Sequence, residues 1–320
     1  PAAGYGARGS TFRALRHRNY RLFFMGQMIS LIGTWMQSIA QQWLVYRLTG
    51  SATMLGTISL LGALPLLPMS LWGGSLADRV PRRTIIVVTQ SVMMIQAFVL
   101  AVLAWTGTVA VWHVLVLSVA LAMAQAIDLP ARQAFIVELV EGKEDLTNAI
   151  GLNSAVFNGA RAVGPALAGL AVATTGEAGA FFINGLTFIA VIAGLLLMRL
   201  PDTPRATARP PLGSHLAEAV RYARGQQVVL VLISLVAVSA FLSMPYSTLM
   251  PVFAEKVLAS SAQPLLDSVC RWAGASLGLT CQAPGALTYG LLMAATGVGA
   301  VVGALFIASL PPSARRGRWL

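Results

Sequence analysis

Between two long apolar runs, residues Gly73–Arg83 read GGSLADRVPRR, with one acid, Asp78, and three arginines, Arg79, Arg82 and Arg83, packed into six residues. A chain that leaves hydrocarbon through small residues and turns at once on charges forms a short cationic hairpin at a membrane face. The positive-inside rule makes that face cytoplasmic. The same charges suit a latch. Asp78 can accept from a helix N-terminus, and Arg82 or Arg83 can bridge to an acid on a neighbouring span, for which Asp128, near the end of the fourth span, is the obvious choice. Plain interfacial charge is the simpler reading, but the order of glycine, acid, arginine, turn and paired arginine exceeds what topology requires.

Arg161 lies inside an apolar run, and an ionisable side chain at mid-span is costly unless it faces a cavity or a partner. Asn153, Phe157 and Arg161 recur at helical spacing and share a face. Arg161 therefore either serves a site or gate for an anionic or polar substrate, or pairs with a carbonyl or acid of an adjacent helix. The first span carries a stripe of Gln27, Ser30, Thr34, Gln37 and Gln41 at three- and four-residue steps. A helix surrounded by lipid would not keep amides on one face. The stripe lines a central cavity, with Asn153, Arg161, Phe241 and Tyr246 as further walls, or it makes interhelical hydrogen bonds. Cys270 and Cys281 share a loop outside the cytoplasm, where they form a disulfide or remain two thiols of no consequence. The three histidines form no metal cluster, no phosphate-binding loop is visible and no nucleophile sits beside a base. Neither metal, cofactor nor enzymatic activity is expected.

These groups need a membrane to position them. Hydrophobic residues are 57% of the chain and charged residues 10%, against roughly 25% charged in a soluble domain. The apolar residues come in runs of about twenty, the length at which an α-helix crosses hydrocarbon. The short alternating segments of a β-barrel are absent. Eight spans are predicted, near Leu22–Tyr46, Met54–Leu76, Thr84–Trp105, Val109–Leu129, Leu152–Thr174, Ala178–Met198, Val228–Phe253 and Ala286–Leu310. FRALRHRNYRLFF, just before and into the first span, predicts a short amphipathic helix on the inner surface. Residues Pro130–Ala149 read as a loop holding Arg132 and Lys143.

Of the 22 Lys and Arg, eighteen fall on the side of the Asp78 hairpin and three, Arg47, Lys256 and Arg271, on the other. Both ends are therefore expected in the cytoplasm, in a multi-pass protein of the inner (plasma) membrane. A net charge of +11 would suggest nucleic acid in a soluble protein. Here the cations flank spans, where they set orientation and meet anionic lipid, so no nucleic-acid partner is expected. Residues 1–198 read as a six-span bundle, 199–225 as a proline-rich cytoplasmic linker, and 226–320 as the start of a second bundle. Small residues followed by arginines recur at 61–83 and 295–316, a weak internal repeat of the kind transporter folds use. The chain opens on Pro1 and stops after a basic cluster, so a fragment is expected.

GGSLADRVPRR resembles the signature loop between the second and third spans of the major facilitator superfamily, with Gly74, Leu76, Asp78, Arg79, Arg82 and Arg83 matching and Pro81 where glycine is usual. In the fifth span, NGARAVGPALAGL is similar to the glycine- and proline-rich pattern of exporters in that superfamily. Arg161, Gly164, Pro165 and Gly169 match, and Ala160 and Ala168 replace glycines. The N-terminal segment, DLPARQAF after the fourth span and PVFAEKVL look most like the branch holding the enterobactin exporter and macrolide-efflux proteins. The resemblance implies an all-α integral membrane bundle, here the first six-span half and two spans of the second, with about four of twelve spans missing. It also implies that the hairpin acts in a conformational switch, to which the latch reading adds Asp128. The expected function is export of a small amphipathic molecule, drug or siderophore-like, by alternating access coupled to an ion, most simply a proton, in a monomer. The alternatives are an uptake symporter of the same fold and a membrane sensor or scaffold that transports nothing.

Overall fold

The computed structural model describes residues 12–200, 221–222, 224–258, 263–264, 266–271 and 283–309, with backbone alone at 67, 71, 75, 78, 243, 244 and 304–309. Among the described residues there are helices and turns and no strand. Helix α1 (Arg18–Thr49) ends at Gly50, whose φ of 60° is a left-handed conformation that glycine takes at little cost. Ser51 then caps α2 (Ala52–Ala63), its side chain accepting from the Met54 N–H. At Pro65 the apolar run breaks, and α3 (Leu66–Arg79) follows. Pro68 falls in the first turn of α3, where the N–H it lacks would have no intrahelical partner. Next come α4 (Arg82–Trp105), α5 (Val111–Leu139), α6 (Lys143–Leu196), α7 (Gln227–Lys256) and α8 (Pro284–Ser309).

At 54 residues, α6 is long enough for two crossings. Gly176, at φ 73° and ψ 177°, adopts a conformation essentially reserved for glycine and divides it into the predicted fifth and sixth spans. Among the described residues six helical stretches are long and apolar enough to cross a membrane: Ala52–Gly74, α4, α5, α6, α7 and Pro284–Gly303. With 32 residues, α1 also has the length, and its polar stripe lowers its hydropathy. Counting α1 and both parts of α6, each predicted span has its helix.

Two local expectations are corrected. The loop predicted at 130–149 shrinks to 140–142, because α5 continues through Pro130 to Leu139. Ala131, Phe135 and Leu139, one turn apart, are buried with Ile136 in a core that includes Tyr20, Phe23, Ile86, Leu152 and Leu195. A mid-helix proline costs about 3 kcal/mol, whereas burying Phe135, Ile136 and Leu139 returns about 1.5–3 kcal/mol each. Packing wins. The second correction concerns the N-terminal segment, where Arg13–Arg16 forms a single 3-10 turn in place of an amphipathic helix. Its cations meet acids of the first turn of α6 instead of lipid. Arg13 contacts Glu144 at 2.5 Å and Asp145 at 2.6 Å, and Arg16 and His17 each contact Asp145 at 2.7 Å. This first turn precedes the apolar run of α6. The hydrogen bond from His17, with that of Arg16 and the charges of Arg13 and Arg16 behind it, holds the Asp145 carboxyl below the ordinary carboxylate range against the opposing effect of burial.

Along each helix the packing follows one order. One core gathers Tyr20 and Phe23 of α1, Ile85 and Ile86 of α4, and Phe135 of α5. The other gathers Trp43 and Leu44 of α1, Leu100 of α4, Val114 of α5, Phe181 of α6 and Tyr289 of α8. The middles of these helices lie between two apolar plugs. Packing is most extensive between α1 and α6, and α6 also packs on α4 and α8. The predicted linker lies largely outside the described residues.

Candidate functional site

Between the plugs, α1 and α3–α6 leave a hollow of about 630 Å3, beside a second of about 410 Å3. Thr34, Ser38, Leu66, Gln125 and Phe188 line both, so the two are lobes of one space. The α1 stripe faces it: Ser30 and Thr34 on the larger lobe, Thr34, Gln37 and Gln41 on the smaller. The same stripe ties helices together. Gln37 donates to Gln96 at 2.8 Å and accepts from Asn184 at 2.6 Å, and Gln41 donates to Ser118 at 2.8 Å. Cavity lining and interhelical bonding, alternatives in the sequence, coexist. Asn153 and Phe157 line the larger lobe, and Trp35 packs edge-on to Phe157 with ring centroids 5.9 Å apart.

The wall of the larger lobe holds a charged pair. Asp128 is 1% exposed and ion-pairs with Arg132 one turn along α5. The Thr89 hydroxyl donates to the same carboxylate at 2.7 Å, and the Gln90 amide to both its oxygens at 3.3 and 3.4 Å. Gln27, behind the wall, accepts from Arg132. Burial of a carboxylate is tolerable only when it is paired and hydrogen-bonded, and here three side chains from α4 and α5, Thr89, Gln90 and Arg132, do that. Arg132, Thr89 and Gln90 were missed in the sequence. The Asp128/Arg132 spacing of four was legible and was obscured by reading Pro130 as a helix end.

The hairpin is wired differently from the expectation. Arg82 reaches Glu138 at 2.6 Å and the Ala134 carbonyl at 3.2 Å, not Asp128, which lies ten residues, or about 15 Å of helix, up α5. Arg83 donates to the Leu196 carbonyl at 2.9 Å, Arg79 is exposed, and the Asp78 side chain lies outside the described residues. The two glycines part company. A side chain at Gly73 would strike the α5 backbone at Ile127, 2.7 Å away, whereas Gly74 has open space.

Arg161 is exposed and lines neither lobe; its guanidinium carbon lies 5.9 Å from the Trp35 ring centroid, a distance suited to a cation–π contact. Around it the glycine and proline pattern is a packing surface. Gly164 abuts Trp35 and the Ile32 carbonyl of α1, and a side chain at Gly169 would meet the backbone of Ala286 and Leu287 of α8 at 3.0–3.1 Å. Phe241, 79% exposed, and Tyr246 stand on α7 and do not line the hollow. Cys270 is disulfide-bonded, and Cys281, the other cysteine of the chain, lies outside the described residues.

The sequence profile of the transmembrane secretion effector family, a family of the major facilitator superfamily, matches residues 9–313. The chain belongs to this family. The staphyloferrin A transporter of Staphylococcus aureus is 26% identical to this secretion-effector chain over 247 residues, 76% of the chain and 61% of that protein. The multidrug efflux pump Tap of Mycobacterium tuberculosis is 29% identical over 280 residues, 85% and 65% of the respective lengths. Macrolide efflux protein A of Streptococcus pyogenes is 24% identical over 243 residues, 74% and 60%. The chain spans about 60–65% of the length of these relatives. Its fold is similar to that of a bacterial homologue of the human lysosomal transporter Spinster in an inward-facing, unoccupied conformation. The TM-score is 0.55 at 17% identity, covering 96% of this chain and 64% of that one. The all-α membrane fold and the superfamily expected from the hairpin and the fifth-span pattern are both met, with a macrolide-efflux protein among the relatives.

Proposed function

We propose that this secretion-effector chain moves a small amphipathic molecule out of the cytoplasm by alternating access, in exchange for protons. The observation that carries the reading is the two-lobed hollow, polar along α1 and apolar at Trp35, Phe157 and Phe188, with the Asp128–Arg132 pair in its wall. An amphipathic cargo suits such walls. Asp128 is the carboxylate placed to exchange a proton with that space, since protonating it would weaken its hold on Arg132 and rearrange the wall. Both ends lie in the cytoplasm, and the hairpin of Gly74, Asp78, Arg79, Arg82 and Arg83 clasps the inner ends of the helices. Arg82 on Glu138 and Arg83 on the Leu196 carbonyl are the contacts that must break as the inner side opens. Arg161 stands over Trp35, which lines the larger lobe, while Gly164, Pro165 and Gly169 let α6 lie against α1 and α8. Lipid surrounds the monomer. A siderophore transporter, a multidrug pump and a macrolide-efflux protein among the relatives favour small-molecule cargo and the outward direction.

Energised inverted membrane vesicles test this with a macrolide, a lipophilic dye and a siderophore. At least one compound accumulates, an uncoupler collapses the accumulation, and Asp78→Asn abolishes it at unchanged protein level. No accumulation above vesicles lacking the chain contradicts export, and accumulation only in right-side-out vesicles means uptake.

A further inference from the structure

We propose that the waist where the two lobes meet holds an uncharged hydrogen-bonding link between the apolar ends of the cargo, and that Gln125 is the side chain that selects it. This deepens, and rests on, the reading of the hollow as the cargo site. On the face of α5 toward the hollow, Ser118, Ala122, Gln125, Leu129 and Arg132 succeed one another at three- and four-residue steps, the first two lining the smaller lobe and the last two the larger. Gln125 stands in the middle of that row and lines both lobes, so its side chain leaves the helix toward the hollow. It is half-buried, its amide makes no hydrogen bond to a described residue, and neither of its polar atoms is sealed from the open space. Ser38 of α1 is exposed, lines both lobes as well, and its hydroxyl has no partner among the described residues. The waist thus offers an open amide and an open hydroxyl to whatever fills the hollow.

The rest of the lining selects the ligand class. Gln37 and Gln41, on the same helix as Ser38, are spent on Gln96, Asn184 and Ser118. Among the described lining residues the ionised pair is Asp128 and Arg132, which neutralise each other. A charged group at the waist would shed its water and find no free counter-charge. A purely apolar group would displace the water on Gln125 and leave its amide unmatched, which is also costly. An uncharged amide link avoids both, its carbonyl accepting from Gln125 Nε2 or Ser38 and its N–H donating to Gln125 Oε1. Its apolar ends then rest against Trp35 and Phe157 in the larger lobe and Leu55 and Ile58 in the smaller. A few placed polar groups in an apolar pocket are how small-molecule sites fix orientation.

The test is equilibrium binding to the full chain in lipid nanodiscs at neutral pH, corrected for empty nanodiscs, with three probes of matched length: N-benzylheptanamide, the cationic N-benzylheptylamine and nonylbenzene. The amide binds about tenfold more tightly than the other two. Gln125→Leu removes that preference and leaves nonylbenzene binding intact, the latter reporting that the hollow survives. Gln125→Glu, which places a carboxylate at the waist, turns the preference toward the amine, a reversal that a merely structural role for Gln125 would not produce. Equal binding of the three probes by the unsubstituted chain, or tightest binding of the amine, overturns the waist site, as does an amide preference that persists in both variants. Flux in energised vesicles without amide preference sinks the waist site and spares the export reading. Amide-selective binding with no flux of any compound does the reverse.

Discussion

At the scale of single residues, the buried Asp128 carboxylate would be prohibitive without its neighbours. Removing the guanidinium leaves Asp128 buried and uncompensated, a situation that costs about 3–5 kcal/mol. Arg132→Ala should therefore lower stability by about 3 kcal/mol or more, whereas Asp128→Asn combined with Arg132→Gln, which removes both charges, should recover most of that loss. Denaturant or thermal unfolding of the detergent-solubilised protein measures both, and equal destabilisation by the two variants would refute the pairing. The amide stripe was legible because its three- and four-residue steps are a property of one helix. The guanidinium was not, because its role depends on α5 continuing past Pro130, which is decided by the burial of Phe135 and Leu139 against other helices. For the same reason Arg82 was matched to the wrong acid. Charge order names a latch, but the reach along α5 selects Glu138.

At the scale of elements, the small residues mark where backbones touch. In α3, Gly73 faces the Ile127 backbone of α5 at a distance no side chain fits, and Gly74, one residue on, faces open space. Gly73→Val should cost about 1–3 kcal/mol by forcing α3 from α5. Gly74→Ala should be neutral or stabilising by up to about 1 kcal/mol, since alanine favours the helix more than glycine. Unfolding midpoints of the two variants compare them directly, and similar losses would mean that the approach of α3 to α5 is not as close as described. The sequence shows two adjacent glycines but not which one touches a neighbouring helix, since that needs the rotation of α3 about its axis. The turn at Gly176 was similarly visible only as a gap between two apolar runs, while the positive φ that makes glycine necessary belongs to the folded chain.

At the scale of the whole molecule, the span count, the segregation of arginines and the family follow from periodicity and short motifs, because membranes impose strict lengths and charge placement on a chain. The hollow does not follow from them. It lies between two large apolar cores, around Phe135 and around Trp43, and its own wall mixes the polar side chains of α1 with Trp35, Met93, Phe157 and Phe188. From Leu230 to Leu242 every residue of α7 is exposed, a surface suited to lipid or to further helices. The central claim is that the hollow opens in turn to each side of the membrane, and Ser38, exposed and shared by both lobes, is placed to report it. A Ser38→Cys protein should be labelled by a membrane-impermeant maleimide both in intact cells and in inverted vesicles, above the background of the unsubstituted chain and with protection by transported cargo. Labelling from neither side, or from one side only under every energised condition, would contradict the account.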